Sequence, residues 1–262
     1  MNSNLKQQLA YLAKKYETAS FCDSDPSQFL RRYKNPVKIE AASFVAAMLS
    51  FGSRNQFIPK IESLLQLTYD NSDALFAFEA FPSGSKKFYR FYSYDDIRTL
   101  LLEMNDIISK YGSLGQFVQQ MLENRRKETD VRKSNGNCES TGVNPGFLLS
   151  RIICGAFPKS KIVPKGKTCA NKRIFMFLRW MVRTDSPVDS GLWTWFSKKD
   201  LIMPLDVHVM EESKKLGLLP QNCTANIKSA LFLTEKMKEI WPNDPLCGDF
   251  ALFGLGVDSD DE

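Results

Sequence analysis

Apolar residues in this chain of 262 residues recur at three- and four-residue spacing, and nowhere do they alternate with period two over a strand's length. Side chains share a face about every 3.6 residues in a helix and every second residue in a strand, so the regularity restricts the fold class to all-α, with roughly ten helices. Residues 39–51 are apolar almost all round and stop at Gly52, which reads as a buried central helix. Leu5, Leu9 and Leu12 mark an amphipathic helix near the N-terminus. Ile97, Leu100, Leu101, Met104, Ile107 and Ile108 mark another, which Gly112 closes. A helix over 114–127 uses Phe117, Val118, Met121 and Leu122, and one over 145–157 uses Leu148, Leu149, Ile152 and Ile153. Between those two, residues 128–144 are polar, lack periodicity and read as a surface loop.

Composition removes several classes. A hydrophobic fraction of 43% with 19 Phe and 4 Trp is that of a packed globular protein. No apolar run reaches membrane-spanning length and the N-terminus lacks the apolar region of a secretory signal, so the expectation is a soluble cytoplasmic protein. The six cysteines are scattered without any Cys-x-x-Cys, and there is one histidine; neither a disulfide framework nor a metal site is expected. Net charge is +5, of which Asp258, Asp260, Asp261 and Glu262 carry −4, leaving +9 on the body. That excess permits a nucleic-acid partner without demanding one.

The most informative stretch runs from Lys172 to Val209. Ile174, Phe177, Leu178, Met181 and Val182 fall at helical spacing and predict a core-facing stripe, with Lys172, Arg179 and Arg183 on another side that is left for a partner. Pro204 disfavours helix at Leu205, and Asp206 then precedes a second amphipathic run closed by Gly217, which makes Asp206 an N-cap. A carboxylate beside backbone N–H groups and a positive helix end is favoured in its ionised form.

Pro204-Leu205-Asp206-Val207-His208 resembles the Pro-x-Asp-x-His segment of helix-hairpin-helix DNA glycosylases, in which the aspartate is catalytic. Lys172 stands 34 positions earlier, behind Asn171, and this wide separation is similar to the archaeal 8-oxoguanine DNA glycosylase branch and its uncharacterised bacterial relatives. The resemblance implies two packed helical subdomains, here residues 37–165 and residues 1–36 with 166–257, followed by an acidic tail at 258–262. It also implies a DNA repair glycosylase with AP lyase activity that excises an oxidised purine such as 8-oxoguanine, with Lys172 as nucleophile and Asp206 as its electrostatic partner. By the same resemblance Arg54, Asn55 and Gln56, in a polar loop after the buried helix, contact the duplex and fill the gap left by an extruded base. Residues 158–168 hold four lysines at the superfamily's hairpin position, where two glycines usually expose backbone N–H groups to a phosphate. Here Gly166 is alone, so Lys165 and Lys167 beside it are expected to supply phosphate charge, together with Arg179. His208 is placed among the DNA contacts and completes hydrogen bonds at its helix start rather than performing catalysis.

Two features stay open at this level. Trp193 and Trp195 either stack on an extruded base or anchor their loop to the core. The aromatics of residues 74–94, set among Lys86, Lys87 and Arg90, are either helix packing or a stacking platform for bases. The expected partner is DNA, as damaged duplex or single strand, bound by a monomer. No cofactor is expected, and no iron–sulfur cluster, because only Cys223 and Cys247 lie in the C-terminal region. The alternatives are a catalytically inactive helical nucleic-acid binder on the same scaffold, suggested by the single hairpin glycine, and a protein–protein interaction module.

Overall fold

A computed structural model describes residues 1–134, 143–166 and 168–260. Lys167 and residues 135–142 of the expected surface loop lie outside them. In chain order the elements are α1 (Ser3–Tyr16), α2 (Pro36–Leu49), α3 (Arg54–Thr68), a hairpin of β1 (Lys87–Tyr89) and β2 (Tyr92–Ser93), α4 (Tyr94–Tyr111) and α5 (Leu114–Ser134). They continue with α6 (Pro145–Ala156), α7 (Lys172–Val182), α8 (Val207–Lys215), α9 (Ile227–Lys238) and α10 (Cys247–Asp260). The protein is therefore mostly helical. No helix among the described residues is long and apolar enough to cross a membrane.

Short polar side chains start many of these helices by accepting from backbone N–H groups that have no partner within the helix. Asn2 accepts from Leu5, Asn35 from Val37 and Lys38, Asn144 from Gly146 and Phe147, and Asn226 from Ser229. Ser93 and Asp96 form a reciprocal capping box on α4.

The chain divides into two compact units, Met1–Leu30 with Gly166–Glu262, and Arg31–Lys165. The sequence sets the first division at 36/37, on Pro36. Contacts set it at Leu30/Arg31, because Arg32 donates to Asp70 at 2.9 and 2.6 Å and to Glu62 at 2.6 Å and so belongs with α3.

In the unit Arg31–Lys165, α2 is the core. Phe44, Val45, Ala46, Ala47, Met48 and Leu49 have no exposed surface. The buried charged groups packed around them find backbone partners, as burial requires. Glu40 accepts from the N–H of Gly115 at 2.8 Å, and Glu103 on α4 accepts from Lys159 at 2.7 Å and Ser160 at 2.9 Å. The ammonium of Lys38 donates to the carbonyls of Tyr69 at 2.8 Å and Ser72 at 2.9 Å.

Three expectations are corrected here. Arg54, Asn55 and Gln56 form the first turn of α3 rather than a loop: the Ser53 carbonyl accepts from Gln56 and Phe57 at 3.0 and 3.1 Å, which closes a helical turn. Pro59 sits inside that helix on an exposed position, where its missing N–H removes only the bond to Asn55. Second, α5 continues to Ser134, because Glu, Lys and Arg propagate a helix already nucleated upstream without needing an apolar face. Third, α10 runs to Asp260 and takes Asp258 and Asp260 of the acidic tail into the helix. The two-stranded hairpin at residues 87–93 was not legible, being too short to display period two.

In the other unit, α10 packs against both α1 and α8. Tyr16, Phe21, Phe250 and Phe253 meet there edge to face, at centroid distances of 4.9–6.3 Å.

Glu103→Ala leaves two backbone N–H groups unsatisfied in the α2 core. It is expected to lower unfolding free energy by about 2–3 kcal/mol, read as a reduced urea midpoint at unchanged slope.

Candidate active site

Helix α9 organises the approaches to both Lys172 and Asp206. The N–H of Ile227 at its start donates to Thr168 at 3.0 Å, and Asn226 bridges to Cys169, three residues before Lys172. Thr234, about two helical turns further on, accepts from the N–H of Met203 at 3.0 Å, three residues before Asp206. Asn171 then turns the chain into α7 through a left-handed conformation, φ 46°, that asparagine tolerates better than most residues. Its side-chain oxygen accepts from the Cys169 thiol at 2.7 Å, and its carbonyl accepts from Ile174 and Phe175.

Lys172 opens α7 and Asp206 caps α8. One carboxylate oxygen of Asp206 accepts from the N–H of Val209 at 2.9 Å, and the other lies 3.6 Å from the Lys172 ammonium nitrogen. Each side chain is 33% exposed. An ion pair at that distance and exposure contributes only about 0–1 kcal/mol, so its geometry matters more than its strength.

Asp249, in the first turn of α10, is the third member of the group. It is buried and bonded to Arg179, and its electrostatic neighbours include both Lys172 and Asp206. Burial pushes its carboxyl above the usual carboxylate range. Arg179 and Lys172 pull it back and Asp206 pushes it further up. The sequence carried a signal for this residue, a lone carboxylate in the otherwise apolar run Leu246–Phe253, which has to find a cationic partner when buried.

Arg179 is corrected from a DNA contact to an internal charge. It is 4% exposed, its Nε lies 3.2 Å from Asp189, and a second nitrogen bonds Asp249. Arg183, 2% exposed, reaches Asp189 at 2.6 Å, Glu17 at 2.8 Å and Asp244 at 2.9 Å, and donates to the Cys247 sulfur at 3.3 Å. Both guanidinium groups lie over the Phe250 ring, at 4.5 and 5.4 Å. Burial pushes the Cys247 thiol up to about 12 despite Arg183 beside it, which keeps it in the unreactive thiol form. The cationic side expected on α7 is thus reduced to its first turn.

The remaining candidates separate by exposure. Trp193 is buried edge to face on Phe177 and its backbone N–H donates to the Met181 carbonyl at 2.7 Å, so it anchors the loop and is withdrawn from base stacking. Trp195 lies half-buried against Trp193, with centroids 5.4 Å apart. His208 is exposed in the first turn of α8. Gly166 is exposed, and a Cβ there would strike the Cys169 sulfur. The Lys165 ammonium donates to the carbonyls of Phe157 and Cys154 and closes the end of α6. Burial lowers its pKa. It is therefore corrected from a phosphate contact to a helix cap. Arg54 is half-buried, and Asn55 and Gln56 are exposed on α3, in the unit that does not carry Lys172. Among the described residues, no three His, Cys, Asp or Glu side chains gather as a metal site.

Removing one partner from a buried ion network strands the others. Arg183→Met is expected to cost about 3–5 kcal/mol of stability and Lys172→Ala no more than about 1 kcal/mol, both read by chemical denaturation. Equal losses would show that Lys172 is a structural residue.

A family model described as a protein of unknown function (DUF2400) matches residues 25–258. No curated protein and no solved structure matches the chain.

Proposed function

This chain belongs to the DUF2400 family of proteins of unknown function, and we propose that it is a DNA repair glycosylase with AP lyase activity acting on an oxidised purine. The observation that carries this reading is the approach of Lys172 to within 3.6 Å of Asp206 across 34 residues of sequence, with each side chain about one third exposed. An amine and a carboxylate so placed match the two demands of the reaction. Breaking the bond between C1′ and the base leaves positive charge on the deoxyribose, which a fixed carboxylate stabilises. Once the Lys172 ammonium has lost a proton to solvent, the electron pair of that bond leaves with the base as the amine bonds to C1′ and then gives up a second proton. Ring opening produces an imine, and loss of a C2′ proton expels the 3′ phosphate.

Asp206 is suited to the electrostatic part because its second oxygen is held by the Val209 N–H and its first is left facing the amine. Asp249 adds a buried carboxyl group among the electrostatic neighbours of the pair, held above the usual carboxylate range chiefly by burial. The half-buried Trp195 remains as a ring against which an extruded base could stack, and Asn55 and Gln56 remain as duplex contacts. The arrangement of helices in two units is in keeping with a helix-hairpin-helix glycosylase scaffold. The inactive-binder alternative finds support in the Lys165 ammonium being directed to carbonyls, which removes one phosphate contact.

Single-lesion oligonucleotides test the reading. The wild-type chain is expected to nick a duplex carrying 8-oxoguanine, with Lys172→Gln and Asp206→Asn each reducing the rate at least about 100-fold, on the scale of losing a nucleophile or an electrostatic partner. Salt-sensitive binding with no cleavage of any lesion would favour the inactive binder.

A further inference from the structure

Helix α9 carries no member of the Lys172–Asp206 pair, yet it is joined to the segments that lead to both and to the helix that carries Asp249. The N–H of Ile227 donates to the Thr168 carbonyl at 3.0 Å, four residues before Lys172. The Thr234 hydroxyl accepts from the N–H of Met203 at 3.0 Å, three residues before Asp206. Gly248, next to Asp249, lets α10 close on Met237, since a Cβ there would strike the Met237 Sδ and Cγ. Ile227 and Thr234 stand seven residues apart and so lie on one face of α9, about 10 Å from each other along its axis. The rise of a helix is fixed, which makes that spacing rigid.

The segment leading to Asp206 depends on its anchor. Leu201, Ile202, Met203, Pro204 and Leu205 are buried and belong to no helix or strand. A buried backbone N–H outside regular structure has to find its acceptor elsewhere, and for Met203 that acceptor is a side chain. Thr234 is itself fully buried, and its hydroxyl proton goes to the Ala230 carbonyl at 2.7 Å, which leaves the oxygen free to accept from Met203. Pro204 fixes one backbone angle in the short run from Met203 to Asp206. A displacement of Met203 therefore passes to the Asp206 carboxylate with little damping. The link at Thr168 is made by backbone groups alone, so Thr234 is the anchor that a substitution can cut.

We propose that α9 is the ruler that sets the separation of Lys172 from Asp206, and that Thr234 is a positioning residue for the Asp206 carboxylate. The reaction that this separation serves is that of the repair reading; the separation itself is independent of it. Asp206 acts on charge that develops at one carbon, where a misplacement of about 1 Å is costly, whereas duplex binding is spread over many contacts. Loss of the anchor thus lowers kcat and spares KM.

A water-soluble carbodiimide joins a carboxylate to an amine where the two already meet, and it tests the ruler on the full chain without DNA. Mass spectrometry reads the Lys172–Asp206 amide against the Lys215–Glu212 amide, an internal standard from a pair 2.6 Å apart and set by α8 alone. Thr234→Val, of similar shape but without the acceptor, is expected to lower the Lys172–Asp206 yield at least roughly fivefold while the standard is unchanged. Thr234→Ser keeps the hydroxyl and is expected to hold the wild-type yield. On a lesion duplex Thr234→Val is expected to reduce kcat roughly tenfold or more at unchanged KM, and Thr234→Ser to restore it. An unchanged cross-link with Thr234→Val, a lost one with Thr234→Ser, no Lys172–Asp206 amide in the wild type, or a rise in KM alone would each overturn the proposal. Loss of the standard as well marks unfolding of Thr234→Val, and Thr234→Ser then decides. Absence of lesion-strand cleavage by the wild type overturns the repair reading instead and leaves the cross-link to decide the ruler.

Discussion

Two buried guanidinium groups at the C-terminal end of α7 are the constraint on which the unit carrying Lys172 depends. Arg179 and Arg183 sit one turn apart and between them engage Glu17 from the chain after α1, Asp189 from the α7–α8 connection, Asp244 from the α9–α10 connection and Asp249 from α10. Four separate segments are thus tied to one helix by charge. A buried ion network adds little net stability over an apolar equivalent, yet it tolerates few alternative arrangements, because a displaced segment strands a charge in the interior. The network therefore fixes the C-terminal half of α7, while Asn171 and the contacts from α9 set its start at Lys172.

The balance of charge in this network also reaches the Lys172–Asp206 pair. Two guanidinium groups face four carboxyls, and one of these, Asp249, is pushed up by burial and by Asp206. Asp249 thus links the network that holds α7 to the Lys172–Asp206 pair at its start. The second unit achieves order by different means, using the buried carboxylates Glu40 and Glu103 as caps for backbone N–H groups rather than for cations. Its β1–β2 hairpin is likewise held by packing and one hydroxyl-to-carbonyl bond.

Much of this was legible in the amino acids. Helical periodicity marked α2, α4, α6 and α7, and Pro204-Leu205-Asp206 marked an N-cap that the structure shows accepting from Val209. What escaped was the environment of the polar face of α7. A helical wheel puts Lys172, Arg179 and Arg183 together and away from the apolar stripe, but it cannot show that another element covers that side. The information lies in carboxylates 10, 61 and 70 positions away, at Asp189, Asp244 and Asp249. Lys165 misled for a related reason, since a lysine in an exposed loop and one reaching the carbonyls of a helix end look the same in sequence. The hairpin at 87–93 and the end of α5 escaped because neither carries an apolar repeat long enough to register.

The central claim is that α7 delivers the Lys172 amine to a carbon that Asp206 helps to make electrophilic. Reducing the reaction mixture with borohydride and mapping the protein–DNA adduct by mass spectrometry tests it most directly. A deoxyribose remnant is expected on the tryptic peptide containing Lys172; an adduct confined to another lysine or to the terminal amine of Met1 would contradict this role for Lys172.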